Sequence, residues 1–142
     1  MSEGAGELTD SRWADLRQAA FEARLRAHAP YSGFAVGAAL LADDGQIYAG
    51  CNVENASYGL TICAERAAVA RMVGAGARTI VAVYVVAAAI QPVPPCGACR
   101  QVLREFGASG TPVRMANLNH AEQDATLGQL LPFAFSKEDL EP

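Results

Sequence analysis

The sequence predicts a single α/β domain in which helices cover a central mixed sheet. Three observations point to it: a turn-linked pair of strand-like runs early in the chain, a Val-rich apolar run near its middle, and helical segments alternating with strands thereafter. No internal repeat, low-complexity block or Pro/Ser linker divides the 142 residues, a length that suits one hydrophobic core. The organisation expected is a flexible N-terminal tail over residues 1–8 and one domain over residues 9–142.

The elements follow in order. From Thr9 or Asp10, either of which can cap a helix, Trp13, Leu16, Ala20 and Ala23 recur at helical spacing, and Pro30 closes the segment. Phe34 to Ala42 and Gln46 to Val53 read as strands joined by Asp43-Asp44-Gly45, a turn of the kind that links antiparallel neighbours. Ile62 to Val73 is Ala-rich and helical in propensity, and Gly74-Ala75-Gly76 ends it. The Val-rich run from Thr79 to Ala89 is a buried strand. Pro95 then opens a second crossover helix, Gly97 to Phe106, and a short strand runs from Pro112 to Asn117.

Composition narrows the function classes. Eleven Lys and Arg against fifteen Asp and Glu give a formal charge of −4, so nothing suggests a nucleic-acid or anionic-membrane surface. A small, weakly charged or neutral substrate suits this balance better. The start MSEGAGELTDS lacks the basic and apolar regions of a signal peptide, and the longest apolar run, to Ile90, is too short to span a bilayer. A cytoplasmic protein is expected. In a reducing compartment, four cysteines that include a Cys-x-x-Cys pair point to metal rather than disulfides.

Two short segments carry the chemistry: Cys63-Ala64-Glu65-Arg66 and Pro95-Cys96-Gly97-Ala98-Cys99-Arg100, each at the start of a helix and separated by one strand. Helices that follow neighbouring strands can bring their N-termini to one edge of a sheet, where the ligands of α/β proteins gather. Helix N-termini favour thiolate over thiol, the form that binds zinc. Three thiolates leave a fourth position open for water, as catalytic zinc requires. Such a site carries excess negative charge, and Arg66 and Arg100 directly follow the ligand motifs, where each can donate to sulfur or simply be a solvated helix residue. Glu65 suits a general acid and base, although a first-turn Glu can also just complement the helix dipole.

The combination of Cys-x-Glu with Pro-Cys-x-x-Cys resembles the zinc nucleoside and nucleobase deaminases, a signature already described for that group. More closely, the blocks PYSGFAVGAAL from Pro30, GCNVENASYG from Gly50, CAERAA from Cys63, PCGACRQVL from Pro95 and LLPFAFSKEDL from Leu130 are similar to the small homotetrameric cytidine deaminases. The resemblance covers the chain from the first helix to Leu140. It implies a three-layer α/β/α fold with a five-stranded mixed sheet, one Zn²⁺ per subunit on Cys63, Cys96 and Cys99, and Glu65 as the catalytic acid and base. It further implies that Phe34 packs on the pyrimidine, that Asn52 and Glu54 bond the ribose 3′-hydroxyl, and that the Ala64 N–H meets the base. Ala56, Tyr58 and Phe135 correspond to residues at active sites shared between subunits, so a homotetramer is implied. By residue type alone, Phe34 and Phe135 read as core and Asn52 as a turn residue. One departure is Pro94, which stands where a polar residue is more usual.

The reaction implied is hydrolytic deamination of cytidine and deoxycytidine to uridine and deoxyuridine, with release of ammonia, in pyrimidine salvage. Rival readings are deamination of a cytosine-bearing antibiotic nucleoside, a structural zinc module closed by Cys51 as fourth ligand, and a dithiol redox protein built on Cys96 and Cys99. Cys51 itself reads as a small buried hydrophobe late in a strand, and His28 and His120 as surface or helix-end residues.

Overall fold

The computed structural model describes residues 8–141. Most of the expected tail, residues 1–7, lies outside the described residues; Leu8 packs against the core. Helix α1 (Asp10–Arg24) is capped by Thr9, whose side chain accepts from the Arg12 N–H. It stops six residues before Pro30 rather than at it. There the chain turns away, and the backbone of His28 bonds the Asn52 carbonyl and the Glu54 N–H, prolonging the sheet edge instead of the helix.

Strands β1 (Val36–Ala42) and β2 (Ile47–Cys51) form the expected antiparallel hairpin. Its turn is held by Gly45 at φ +81 and by Asp44, which accepts from the Gln46 N–H and the Tyr48 hydroxyl. Helix α2 (Ala64–Gly74) leads to β3 (Ile80–Ala87), and helix α3 (Gly97–Phe106) to β4 (Pro112–Ala116). The chain closes with β5 (Glu122–Thr126), a single-turn α4 (Leu127–Leu130) and a 3₁₀ turn (Lys137–Leu140).

The sheet order is β2-β1-β3-β4-β5, with β3 and β4 parallel and the other pairs antiparallel, so the five-stranded mixed sheet is present. Period-two alternation along β1 and β3 divides the core. Ala39, Leu41, Ala82, Tyr84 and Val86 face Trp13, Leu16 and Ala20 of α1. Ala38, Leu40, Val83 and Val85 face Ala68, Val69 and Met72 of α2 and Leu103 of α3. These are the three layers.

The residues of β5, Glu-Gln-Asp-Ala-Thr, lack a strand's usual apolar alternation. Polar side chains hold it instead. Arg114 grips Asp124 through two hydrogen bonds of 2.7 and 3.1 Å, and the Tyr84 hydroxyl donates to Glu122 at 2.6 Å.

Two glycines set how closely the helices approach. A Cβ on Gly37 would lie 2.0 Å from the Ala20 carbonyl oxygen of α1, and one on Gly50 would lie 2.5 Å from the Ala68 nitrogen of α2. In both cases the obstacle is helix backbone, which cannot swing aside. Gly50 therefore fixes the height of α2 over β2 and with it the position of Cys63, Ala64 and Glu65. Gly50→Ala is expected to lower stability by about 1–3 kcal/mol, as overpacking does, and to weaken zinc retention. Urea denaturation with zinc analysis checks this, and a variant matching the parent in both would contradict the role given to Gly50.

Candidate active site

The N-termini of α2 and α3 meet beside the carboxyl end of β3. Cys63 is the N-cap residue of α2 and Cys96 that of α3, and both have extended backbone with no capping bond from the side chain. Their thiols are thereby free to face one another. Cys99 follows in the first turn of α3, fully buried. The three Sγ atoms lie within 4.8 Å of one another, with Cys63 and Cys96 4.0 Å apart. Zinc–sulfur bonds of about 2.3 Å in tetrahedral geometry place sulfurs about 3.8 Å apart, so the cluster fits zinc after a small contraction.

Cys51 lies outside this cluster, half-buried in β2. Among the described residues the thiols supply three ligands, and the closed four-cysteine arrangement is not formed.

Charge is distributed unevenly across the site. The neighbouring Cys99 thiol, followed by the Arg66 guanidinium, pulls the Cys63 thiol down to about 5, so it is a thiolate at neutral pH. Cys99 is pushed the other way, by its hydrogen bond to Cys63 and by burial. Glu65 is 4% exposed, and burial raises its carboxyl above the usual range, with the Cys63 charge adding to the effect. The Cys99 thiol reaches Glu65 Oε1 at 3.7 Å. Arg66 Nη2 donates to Cys63 Sγ at 3.5 Å and to the Thr61 carbonyl at 3.4 Å, while its buried Nε has no partner. Arg66 thus takes the sulfur-donor position anticipated for it.

Arg100 does not. Cys99 points into the cluster, and the next residue on a helix points about 100° away around the axis. The Arg100 guanidinium accordingly donates to the Pro95 carbonyl at 2.7 Å and to the Leu130 carbonyl at 2.8 Å.

A cavity of about 270 Å³ opens onto Cys63, Cys96 and Glu65. It lies just below the usual range for ligand sites, about 300–1,000 Å³, and suits a compact molecule. Phe34, Asn52, Glu54 and Ala64 line it, as do Val85, Ala87, Val93 and Pro94, which make one wall apolar. As the first residue of α2, Ala64 has an N–H without an intrahelical acceptor. Phe34 is partly exposed at the cavity rather than packed in the core.

Asn52 is buried, and its amide braces the start of β1: Oδ1 accepts from the Val36 N–H at 2.9 Å and Nδ2 donates to the Phe34 carbonyl at 2.8 Å. Each end of the amide retains further bonding capacity toward the cavity. Glu54 accepts from the Tyr31 and Ser32 N–H groups and from the Ser32 hydroxyl, which holds its carboxyl below the usual range.

Ser32 and Thr61 also line the cavity and were not singled out from the sequence. The turn signal Pro30-Tyr31-Ser32-Gly33 is the clue that could have found Ser32, since Gly33, at φ +68, turns the chain back toward Glu54. Three expected site residues stand apart from the cavity within this one chain. Tyr58 lines an adjoining depression with Tyr31, Glu54 and Asn55, Ala56 is exposed nearby, and Phe135 projects from the C-terminal segment.

Comparison with known proteins agrees with this geometry. The family model for the cytidine and deoxycytidylate deaminase zinc-binding region matches residues 11–115. A cytidine deaminase of Sporosarcina psychrophila is 54% identical over 119 residues, covering 84% of this chain and 88% of that protein. One from Mycobacterium tuberculosis is 45% identical over 133 residues, covering 94% and 96%. The crystal structure of cytidine deaminase from Burkholderia pseudomallei superimposes with a TM-score of 0.84 at 46% identity, covering 90% of this chain and all of that one.

Because Cys99 holds its proton before metal arrives, zinc added to metal-free protein at pH 7 should release at least one proton per chain. An indicator dye in weak buffer reads this directly. Cys51→Ser should still take up one zinc per chain and Cys99→Ser should not; loss of zinc from Cys51→Ser would contradict the three-thiolate site.

Proposed function

The chain belongs to the cytidine and deoxycytidylate deaminase family, and on that premise we propose that it hydrolyses cytidine and deoxycytidine to uridine and deoxyuridine with release of ammonia. The observation that supports this reading is a buried carboxyl, Glu65, beside three clustered cysteine sulfurs that could hold zinc and that open into a cavity of about 270 Å³. Zinc bound by Cys63, Cys96 and Cys99 would act as a Lewis acid that makes water nucleophilic near neutral pH.

The protein's own residues do the rest. The Ala64 N–H and the flanking Phe34 ring hold the pyrimidine, while Asn52 and Glu54 bond the sugar hydroxyls. Glu65 accepts the proton that the attacking water loses and delivers it to N3 as oxygen adds at C4. It then takes the proton of the new C4 hydroxyl and passes it to the amine, so that C4=O forms as the C4–N bond breaks and ammonia leaves. A carboxyl raised by burial suits a group that must both take and give a proton near neutral pH.

Arg66 supplies positive charge beside Cys63, offsetting the surplus that three thiolates would place on the metal. Glu54 contributes a negative charge at the cavity, and among the described residues no Lys or Arg lines it, an arrangement that favours a nucleoside over its 5′-phosphate.

The assembly is a homotetramer in this proposal. Phe135, Ala56 and Tyr58, which stand at or beyond the cavity's edge in one chain, complete a neighbouring chain's site. Exposed apolar side chains near the mouth, including Tyr58, Leu60 and Ile62, give such contacts their surface. No helix among the described residues is long and apolar enough to cross a membrane. The location proposed is the cytoplasm, and the role is pyrimidine salvage.

Glu65→Gln should keep its zinc and lose at least about 100-fold in kcat, the lower range for general acid–base catalysis; full turnover in a zinc-replete variant would remove Glu65 from the mechanism. Cytidine and deoxycytidine should both react, with cytosine and the 5′-monophosphate far slower. Efficient turnover of free cytosine would contradict the ribose role of Asn52 and Glu54. Light scattering should give the mass of four chains, and a monomer retaining full activity would refute shared sites.

A further inference from the structure

The segment 131–136, between α4 and the 3₁₀ turn, has no helix or strand of its own and bears two aromatic rings turned to solvent. Phe133 is fully exposed and its backbone adopts φ +54, while Phe135 is 59% exposed. Neither ring is held by the core, so packing does not fix where they point. Consecutive side chains of α3 hold the backbone instead. Arg100 Nη1 donates to the Leu130 carbonyl at 2.8 Å, just before the segment, and Gln101 Nε2 donates to the Phe135 carbonyl at 2.8 Å, near its end.

The same Arg100 guanidinium reaches the Pro95 carbonyl at 2.7 Å through Nε. Pro95 directly precedes Cys96, and Arg100 directly follows Cys99. One planar, rigid fork therefore ties the turn that carries a zinc ligand to the root of the aromatic arm. Gln101 lies one residue further round the helix, and its side-chain hydrogen bond goes to the arm.

We propose that Arg100 and Gln101 are positioning residues, a two-point clamp that registers the Phe133–Phe135 arm against the helix bearing Cys99, and that substrate binding depends on this registration. The proposal rests on the reading above, in which Phe135 reaches the nucleoside site of a neighbouring chain. The two anchors differ in consequence. Gln101 governs the arm alone, so its loss weakens nucleoside binding without disturbing the metal. Arg100 governs arm and ligand turn together, so its loss affects zinc retention as well.

The test uses the assembled, zinc-loaded protein and four variants: Gln101→Glu, which removes the donor, Gln101→Lys, which keeps one, Phe135→Ala, and Gln101→Glu combined with Phe135→Ala. Gln101→Glu should speed amide exchange in residues 131–136 and raise KM for cytidine about fivefold, the weight of one neutral hydrogen bond, with zinc content and kcat retained. Gln101→Lys should restore both readouts toward the parent. In the Phe135→Ala background, Gln101→Glu should have no further effect on KM, because the two changes act through one ring.

Unchanged exchange and unchanged KM in Gln101→Glu would overturn the clamp itself. Faster exchange with unchanged KM, while Phe135→Ala raises KM, would overturn its link to substrate binding. If Phe135→Ala leaves KM unaltered, the shared-site reading of Phe135 fails first and the proposal falls with it, a result distinguishable because exchange still reports the clamp.

Discussion

The approach of two helix N-termini to the end of one central strand governs this structure. Cys63 caps α2, Cys96 caps α3, and β3 runs between them in sequence, so the thiols converge only if both helices sit at the correct height on the same face of the sheet. Gly50 permits that height for α2. Leu103, Val83 and Val85 pack in one buried cluster with Ala68 and Met72, which holds the two helices on a common floor. Bringing thiolates together is unfavourable without compensation. Arg66 against Cys63, and a proton retained on Cys99, are how the chain tolerates the cluster before a cation enters.

Burial then separates the roles of groups that lie close together. Cys63 is held ionised while Glu65, two residues later, has its carboxyl raised. In the proposed mechanism one serves as a permanent ligand and the other as a mobile proton carrier, a division that comes from environment rather than residue type. On the opposite side of the cavity, Asn52 and Glu54 spend part of their bonding capacity on the 31–36 backbone. The residues proposed to read the sugar are thereby locked in place by the loop that presents Phe34.

Much of this was legible in the sequence because its signals are local. The hairpin was marked by Asp43-Asp44-Gly45, α1 by the spacing from Trp13 to Ala23, and the zinc ligands by Cys-x-Glu and Cys-x-x-Cys. What could not be read depends on partners distant in the chain. Strand β5 lacks apolar alternation and is recognisable only through Arg114 and Tyr84, which lie on other strands. The end of α1 at Arg24 depends on the backbone of His28 pairing with Asn52 and Glu54. Arg100 shows the limit most clearly: adjacency to Cys99 suggested a sulfur contact, yet helical rotation carries its guanidinium to Pro95 and Leu130. The resemblance supplied the cavity residues Phe34, Asn52 and Glu54; by residue type alone Phe34 pointed to core and Asn52 to a turn.

In the proposed reaction, zinc held by three cysteines and one buried carboxyl together deaminate a nucleoside. Its most direct test is to follow ammonia and uridine together from cytidine, first with zinc-loaded protein, then after chelation, then after zinc is restored. Equal amounts of both products are expected, with their loss on chelation and their return with zinc. Absence of both products from correctly assembled, zinc-replete protein would contradict the proposed reaction.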